Sequence, residues 1–236
     1  MQQDESGLPL PGIEIMEANP VDLGERHGLT VPGSTGDGVP AAVPFARPLS
    51  APERGAYAGD VRPGVIVLVG LPGAGKSTLA AAVARRLPDA RVLDKDKVRH
   101  ALFDPCDYTS AERDVVFAAM LDAARYHLGR DRIVIFDGLT FSRRTQVAAA
   151  EAVADDAGAF AAVIVCDVPV EVAMERCEAD AAAGNRHLAA NRDGQLVRRV
   201  AAEMEEPAGD YLTLDMTGDV DHLADQALEY VEELAG

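Results

Sequence analysis

Apolar residues follow two different rhythms in this chain, and the change falls near residue 62. Before it, repeated Pro and Gly (VPGSTGDGVPAAVPFARPLSAP) leave few periodic apolar positions. After it, short aliphatic runs alternate with longer Ala- and Leu-rich stretches at helical spacing. Val65-Ile66-Val67-Leu68-Val69 is unbroken, the sign of a strand buried on both faces of a parallel sheet. Further strands are expected at Arg91–Asp94, Arg132–Asp137, Ala161–Asp167 and Tyr211–Asp215. Helical patterns fill the gaps: Thr78–Leu87, Ala111–Leu128, Arg143–Asp156, Val170–Ala183, Gln195–Glu205 and Asp219–Leu234. Such alternation predicts an α/β fold, a three-layer sandwich with a five-stranded parallel sheet between helices. Residues 63–236 then form the folded domain. Residues 1–62 are expected to be an irregular N-terminal arm with the composition of a disordered leader. Ile13, Ile15, Met16, Val43, Phe45 and Leu49 are the residues through which that arm would dock instead.

Between the first strand and the first helix stands Gly70-Leu71-Pro72-Gly73-Ala74-Gly75-Lys76-Ser77, which fits GxxxxGK[ST], the Walker A pattern of a P-loop. The glycines at 70, 73 and 75 permit a sharp turn that aims successive N–H groups inward, and the helix start adds its positive end there. Polyphosphate is what such a nest holds. Ala74 and Thr78 complete the cradle, Lys76 would reach the β- and γ-phosphates, and the Ser77 hydroxyl would ligate Mg²⁺. ATP and Mg²⁺ are therefore the expected ligands. The competing reading is a Gly-rich turn that fits by accident.

Composition narrows the acceptor. The formal net charge is -17, whereas proteins that grip a nucleic-acid backbone usually carry a basic face. A polynucleotide substrate is disfavoured. No stretch approaches the roughly 20 apolar residues of a membrane helix, and the acidic, polar N-terminus lacks the pattern of a signal peptide, so the expected location is the cytoplasm. Cys106, Cys166 and Cys177 form no close pair or His/Cys cluster and read as buried thiols in a reducing compartment.

Several expected strands end in a carboxylate, and ligands of open α/β sheets bind just beyond the strand carboxyl ends. After the second strand, Asp96 and Arg99 stand i, i+3 and share a face if a helix begins there. A kinase needs a carboxylate to deprotonate the attacking hydroxyl and a cation to offset charge on the transferring phosphoryl group. Asp96 fits the first role and Arg99 the second, with both touching substrate. The plainer alternative is a helix-start acid beside a surface arginine. Asp137 closes the third strand and would act through Mg²⁺, unless it serves as a cap. Asp137 is also a substrate candidate, and Thr140, Arg143 and Arg144, in the loop that follows, are weaker ones, the alternative for the two arginines being solvated charge. The segment Gly184–Gly194 reads as a lid, about 180–195, whose Arg186 and Arg192 would close over the triphosphate, Arg192 as a catalytic finger. Its alternative is a solvated surface loop. Arg176 would flank the adenine.

Taken together, GLPGAGKST at 70–78, DKDKVR at 94–99, IFDGLTFSRR at 135–144, CDVPVEVAMERC at 166–177 and Glu206-Pro207 resemble the P-loop kinases of the polynucleotide-kinase, zeta-toxin and chloramphenicol-phosphotransferase-like group, of AAA_33 type. The resemblance spans about residues 64–215. It implies a P-loop NTPase fold like that of the nucleoside-monophosphate kinases. It also implies that the Asp-x-x-Arg pair supplies the general base and a phosphate or substrate contact, which falls on Asp96 and Arg99, and that Arg176 lies at the nucleotide base. One departure stands out: polynucleotide kinases tend to show Asp-x-Thr-Asn after the third strand, and this chain has Asp137-Gly138-Leu139-Thr140-Phe141. The expectation is an ATP- and Mg²⁺-dependent kinase of a small-molecule hydroxyl. Its rivals are a 5′-hydroxyl nucleoside or polynucleotide kinase and a nucleotide-hydrolysing switch without an alcohol acceptor.

Overall fold

The structure, a computed structural model, describes residues 62–87, 89–183 and 194–236. The expected arm, save Arg62, and the lid residues Arg186 and Arg192 lie outside the described residues. Five strands, β1 (Gly64–Val69), β2 (Arg91–Asp94), β3 (Ile133–Asp137), β4 (Phe160–Asp167) and β5 (Leu212–Asp215), form one sheet in the order β2-β3-β1-β4-β5. Every pairing is parallel. The helices are α1 (Lys76–Arg86), α2 (Lys95–Leu102), α3 (Ser110–Leu128), α4 (Arg144–Asp156), α5 (Val170–Ala182), α6 (Gly194–Glu203) and α7 (Val220–Ala235).

The two-residue period of the strands divides the interior into two cores. Ile66, Leu68, Ile135, Ala162 and Ile164 face one side, where they pack with Leu79 and Val83 of α1 and Leu223, Ala227 and Val231 of α7. Val65, Val67, Val134, Phe136 and Val163 face the other, against Val116 and Met120 of α3 and Val147, Ala150 and Val153 of α4. Because β1 lies in the middle of the sheet, all six of its residues are buried. Each large aliphatic side chain so buried contributes about 1.5–3 kcal/mol, so β1 anchors the loop that follows it. Arg62 ties the start of β1 to the end of α7 by donating to the carbonyls of Ala235 and Leu234, which occupies helix-terminal acceptors.

Where boundaries differ from the sequence expectation, local hydrogen bonds supply the reason. The fourth helix begins at Arg144 because Arg143 is extended and serves as its N-cap. The helix expected to reach Glu205 stops at Glu203, since the Glu205 amide donates instead to the Ser142 carbonyl. A helix does begin after the second strand. Asp94 is its N-cap, and Asp94 Oδ1 accepts from the Asp96 and Lys97 amides at 2.9 and 3.2 Å. Strands β2 to β5 each end in Asp, with Asp94 opposite Asp137 and Asp167 opposite Asp215. That row marks the edge where the candidate site is built.

Candidate active site

The Gly70–Ser77 loop leaves β1 and enters α1 at its first residue but one. Gly73 and Gly75 take φ of 80° and 97°, a left-handed conformation costly to residues with a Cβ. Gly73 has a second reason to be glycine. A Cβ there would lie 2.3 Å from the Ala173 carbonyl oxygen and 2.8 Å from Cys177 Sγ, so the loop rests directly on α5. Arg176, one turn further along α5, donates to the carbonyls of Ala74 and Met216 at 3.3 and 3.0 Å. It thereby links the loop to the exit of β5.

Lys76 is buried and donates from Nζ to the carbonyls of Gly70 and Leu71 at 2.8 and 2.7 Å, which folds the ammonium back over the loop. The Ser77 hydroxyl donates to Asp137 Oδ1 at 2.8 Å. Asp137, 9% exposed at the end of β3, also accepts from the Gly138 amide at 2.7 Å, so one carboxylate both closes a turn and meets the loop. Thr140, half-buried, contributes its carbonyl to the Gly70 amide at 3.1 Å. Thr78 is exposed on α1. Cys166, beneath the loop at the end of β4, has its thiol pushed up to about 12 by burial, against the opposing pull of Lys76.

The β3 exit abuts the start of α2: a Cβ on Gly138 would sit 3.1 Å from Lys95 Cβ. On α2, Asp96 and Arg99 are 7% and 5% exposed, so the i, i+3 pair occupies one buried face and is not a surface ion pair. Lys95 Nζ lies 3.5 Å from Asp96 Oδ1. Arg99 takes a different partner. Its Nη1 donates to Glu112 Oε2 at 3.1 Å, and its guanidinium carbon lies 5.1 Å from the centre of the Tyr108 ring. Sequence reasoning did not single out Glu112. A signal existed, since Thr109-x-x-Glu112 is a capping-box pattern at the head of α3. Thr109 does cap α3 through the Glu112 amide, but the Glu112 carboxylate reaches past it to the amides of Asp107 and Tyr108.

Arg144, a substrate candidate by sequence, is exposed; its amide donates to Glu205 Oε2 and its Nε to the Glu206 carbonyl. Arg143 beside it pairs with Glu203 and Glu205. Together they fasten the head of α4 to the segment after α6, and they hold the Glu205 carboxyl below the usual range, chiefly through the Arg144 amide. The donor set at Ser77 and Asp137 suits Mg²⁺. Both are hard oxygen ligands, and Mg²⁺ is usually held by one or two such side chains together with substrate phosphates. Among the described residues, no group of three or more His, Cys, Asp or Glu gathers to hold a metal unaided, and no helix is long and apolar enough to cross a membrane.

Comparison with known proteins bears on the family and the fold. An AAA domain profile, AAA_33, matches residues 65–207. The chain is 31% identical over 179 residues to adenylyl-sulfate kinase of Bacillus pumilus (strain SAFR-032), covering 73% of this chain and 86% of that one. It is 29% identical over 176 residues to the probable adenylyl-sulfate kinase of Bacillus subtilis (strain 168), covering 72% and 85%. Among solved structures, the APS kinase of Mycobacterium tuberculosis in complex with AMPPNP and APS shares the fold with a TM-score of 0.57 at 24% identity, covering 72% of this chain and 98% of that one. A gluconokinase from Sinorhizobium meliloti 1021 shares it with a TM-score of 0.55 at 20% identity, covering 73% and 94%. This chain belongs to the AAA_33 family of P-loop kinases and is an ATP-dependent phosphotransferase.

Proposed function

We propose that this protein transfers the γ-phosphoryl group of ATP, with Mg²⁺, to a hydroxyl of a small molecule, and that Asp96 is the general base. The observation that carries the reading is the buried Asp96/Arg99 face of α2, set beside the β3 exit whose Asp137 meets Ser77 of the phosphate loop. In this reading the amides of residues 73–78 bind the phosphates and Lys76 swings from its carbonyl partners to the β- and γ-oxygens. Ser77 and Asp137 would hold the metal, which supplies neutralisation of the developing phosphate charge. Asp96 accepts the acceptor's hydroxyl proton as that oxygen attacks the γ-phosphorus and the bond to the β–γ bridging oxygen breaks. Arg99 offsets charge on the equatorial oxygens or on the acceptor. Arg176 stays at the base side of the nucleotide.

The name carried by the curated relatives makes adenylyl sulfate the first acceptor to test, with gluconate second. The assay is transfer of labelled γ-phosphate from MgATP into adenylyl sulfate, gluconate, a wider panel of alcohols and nucleosides, and a 5′-hydroxyl oligonucleotide. Label is expected on a small molecule, and Asp96→Asn is expected to reduce it about 10²–10⁴-fold. Full transferase activity in Asp96→Asn would remove the base assignment. Label on the oligonucleotide alone would favour a 5′-hydroxyl kinase, and phosphate released equally by both proteins, with no acceptor labelled, would favour a hydrolytic switch.

A further inference from the structure

Arg99 is held by a group outside the phosphate loop and outside the Asp-x-x-Arg pattern. Glu112, on the first turn of α3, is 8% exposed and uses both carboxylate oxygens. Oε1 accepts from the Asp107 amide at 2.7 Å; Oε2 accepts from the Tyr108 amide at 2.8 Å and from Arg99 Nη1 at 3.1 Å. Tyr108 sits at φ 55°, in the left-handed region, a conformation that a tyrosine keeps only where its surroundings enforce it. Its amide is held by Glu112, its ring lies edge-on to His100, and its ring faces the Arg99 guanidinium. Arg99 Nε is buried without a hydrogen-bond partner among the described residues. The guanidinium is therefore clamped on one edge and by one face, with donor capacity left over.

Buried ion pairs are poor sources of stability, because desolvation cancels most of the attraction; where they persist, a geometric role is a reasonable hypothesis. Here one carboxylate fixes two things at once: the direction of a buried cation on α2 and the backbone of the 103–109 connection between α2 and α3. We propose that Glu112 is a positioning residue for phosphoryl transfer. It orients Arg99 toward the anionic oxygens of the reacting groups and fixes the backbone of the 103–109 connection. This rests on the kinase reading above, in which Arg99 meets the acceptor or the transferring phosphoryl group.

The test uses the full-length chain with MgATP and adenylyl sulfate, comparing wild type, Glu112→Gln, Arg99→Ala and the double variant. The expected result for Glu112→Gln is a fall in kcat/KM for adenylyl sulfate on the order of 10²-fold, the scale of a misplacement near 1 Å. Affinity for MgADP should remain near wild type, while the unfolding midpoint falls, because one partner of a buried pair has lost its charge. In the Arg99→Ala background the same substitution should add less than about threefold, since a residue that acts through Arg99 has nothing left to position. Unchanged kcat/KM in Glu112→Gln, equal additive losses in the double variant, or a fall in MgADP affinity as large as the fall in kcat/KM would each overturn the inference. If wild type does not phosphorylate adenylyl sulfate, the acceptor assignment fails separately, and amide exchange decides. Glu112→Ala must then accelerate exchange at Asp107 and Tyr108 at least tenfold while leaving β1 protected; unchanged exchange overturns the positioning role.

Discussion

Gly73→Ala tests whether the phosphate loop is seated on α5 as described, and its cost can be worked out from the contact geometry. The added Cβ would meet the Ala173 carbonyl oxygen at 2.3 Å, a backbone atom that cannot swing aside. Helix α5 would have to retreat by about 1 Å, an overpacking that costs about 1–3 kcal/mol. The φ of 80° adds about 1–2 kcal/mol for a residue with a Cβ. Gly75→Ala is the control, because it shares the positive φ, at 97°, while its nearest neighbour is the flexible end of Met216 at 3.4 Å. The difference between the two variants isolates the overlap at about 1–3 kcal/mol. For a domain of this size that is a melting-temperature gap of about 2–12 °C, read by thermal unfolding and checked by urea midpoints. Retreat of α5 also carries Arg176 away from Ala74 and Met216, so Gly73→Ala should weaken MgADP binding as well. Equal melting temperatures for the two alanine variants would refute the seating of the loop on α5.

Two further expectations concern titrating groups. His127 Nδ1 lies 3.3 Å from Arg132 Nη1, and since guanidinium only donates, the imidazole there is neutral and accepts. Burial, reinforced by Arg132, lowers its pKa below the ordinary value of 6.5. The unfolded chain then binds the proton more readily, so stability should fall as pH drops from above 6.5 through the folded-state value; urea midpoints that fall equally steeply in His127→Gln would contradict this. The second expectation is that native protein should show slow alkylation at Cys106, whose thiol is raised mainly by desolvation, and none at buried Cys166 and Cys177, with all three reacting in denaturant; rapid labelling of Cys166 in native protein would count against its burial beneath the loop.

The nucleotide side of the site was legible because its chemistry is local. Eight consecutive residues, a preceding aliphatic run and a following Ala-rich run carry enough to specify strand, phosphate nest and helix. Asp137 was legible for a related reason, as a polar residue closing a buried strand. The acceptor side was legible only as far as the i, i+3 spacing of Asp96 and Arg99. Glu112 lies 13 positions beyond its partner Arg99, across a connection with no periodicity, and its capping-box spacing pointed to a bond with Thr109 that the carboxylate does not make. Arg144 has partners that its local sequence did not suggest. Two adjacent arginines after Asp137 suggested substrate contact, yet their partners Glu203 to Glu206 are about sixty residues away in sequence, a pairing that no local pattern encodes.

The net charge of -17 and relatives named for an anionic acceptor look inconsistent, and the distance dependence of screening resolves the conflict. At physiological ionic strength exposed charges fade beyond about 8 Å, so the acidic surface slows the approach of an anion without setting its affinity in the site. That affinity depends on cations near the reacting atoms and shielded from solvent. Lys76 and Arg99 are both buried, and Lys95 lies against Asp96. Lys95 and Arg99 stand beside Asp96 on α2, which meets the β3 exit at Gly138, and Lys76 precedes Ser77, whose hydroxyl donates to Asp137. An extended polyanion would gain little from such a compact set, because most of its charges would face the acidic exterior. The order of acceptors in the labelling panel therefore reads the local charge of the site more than the total charge of the chain.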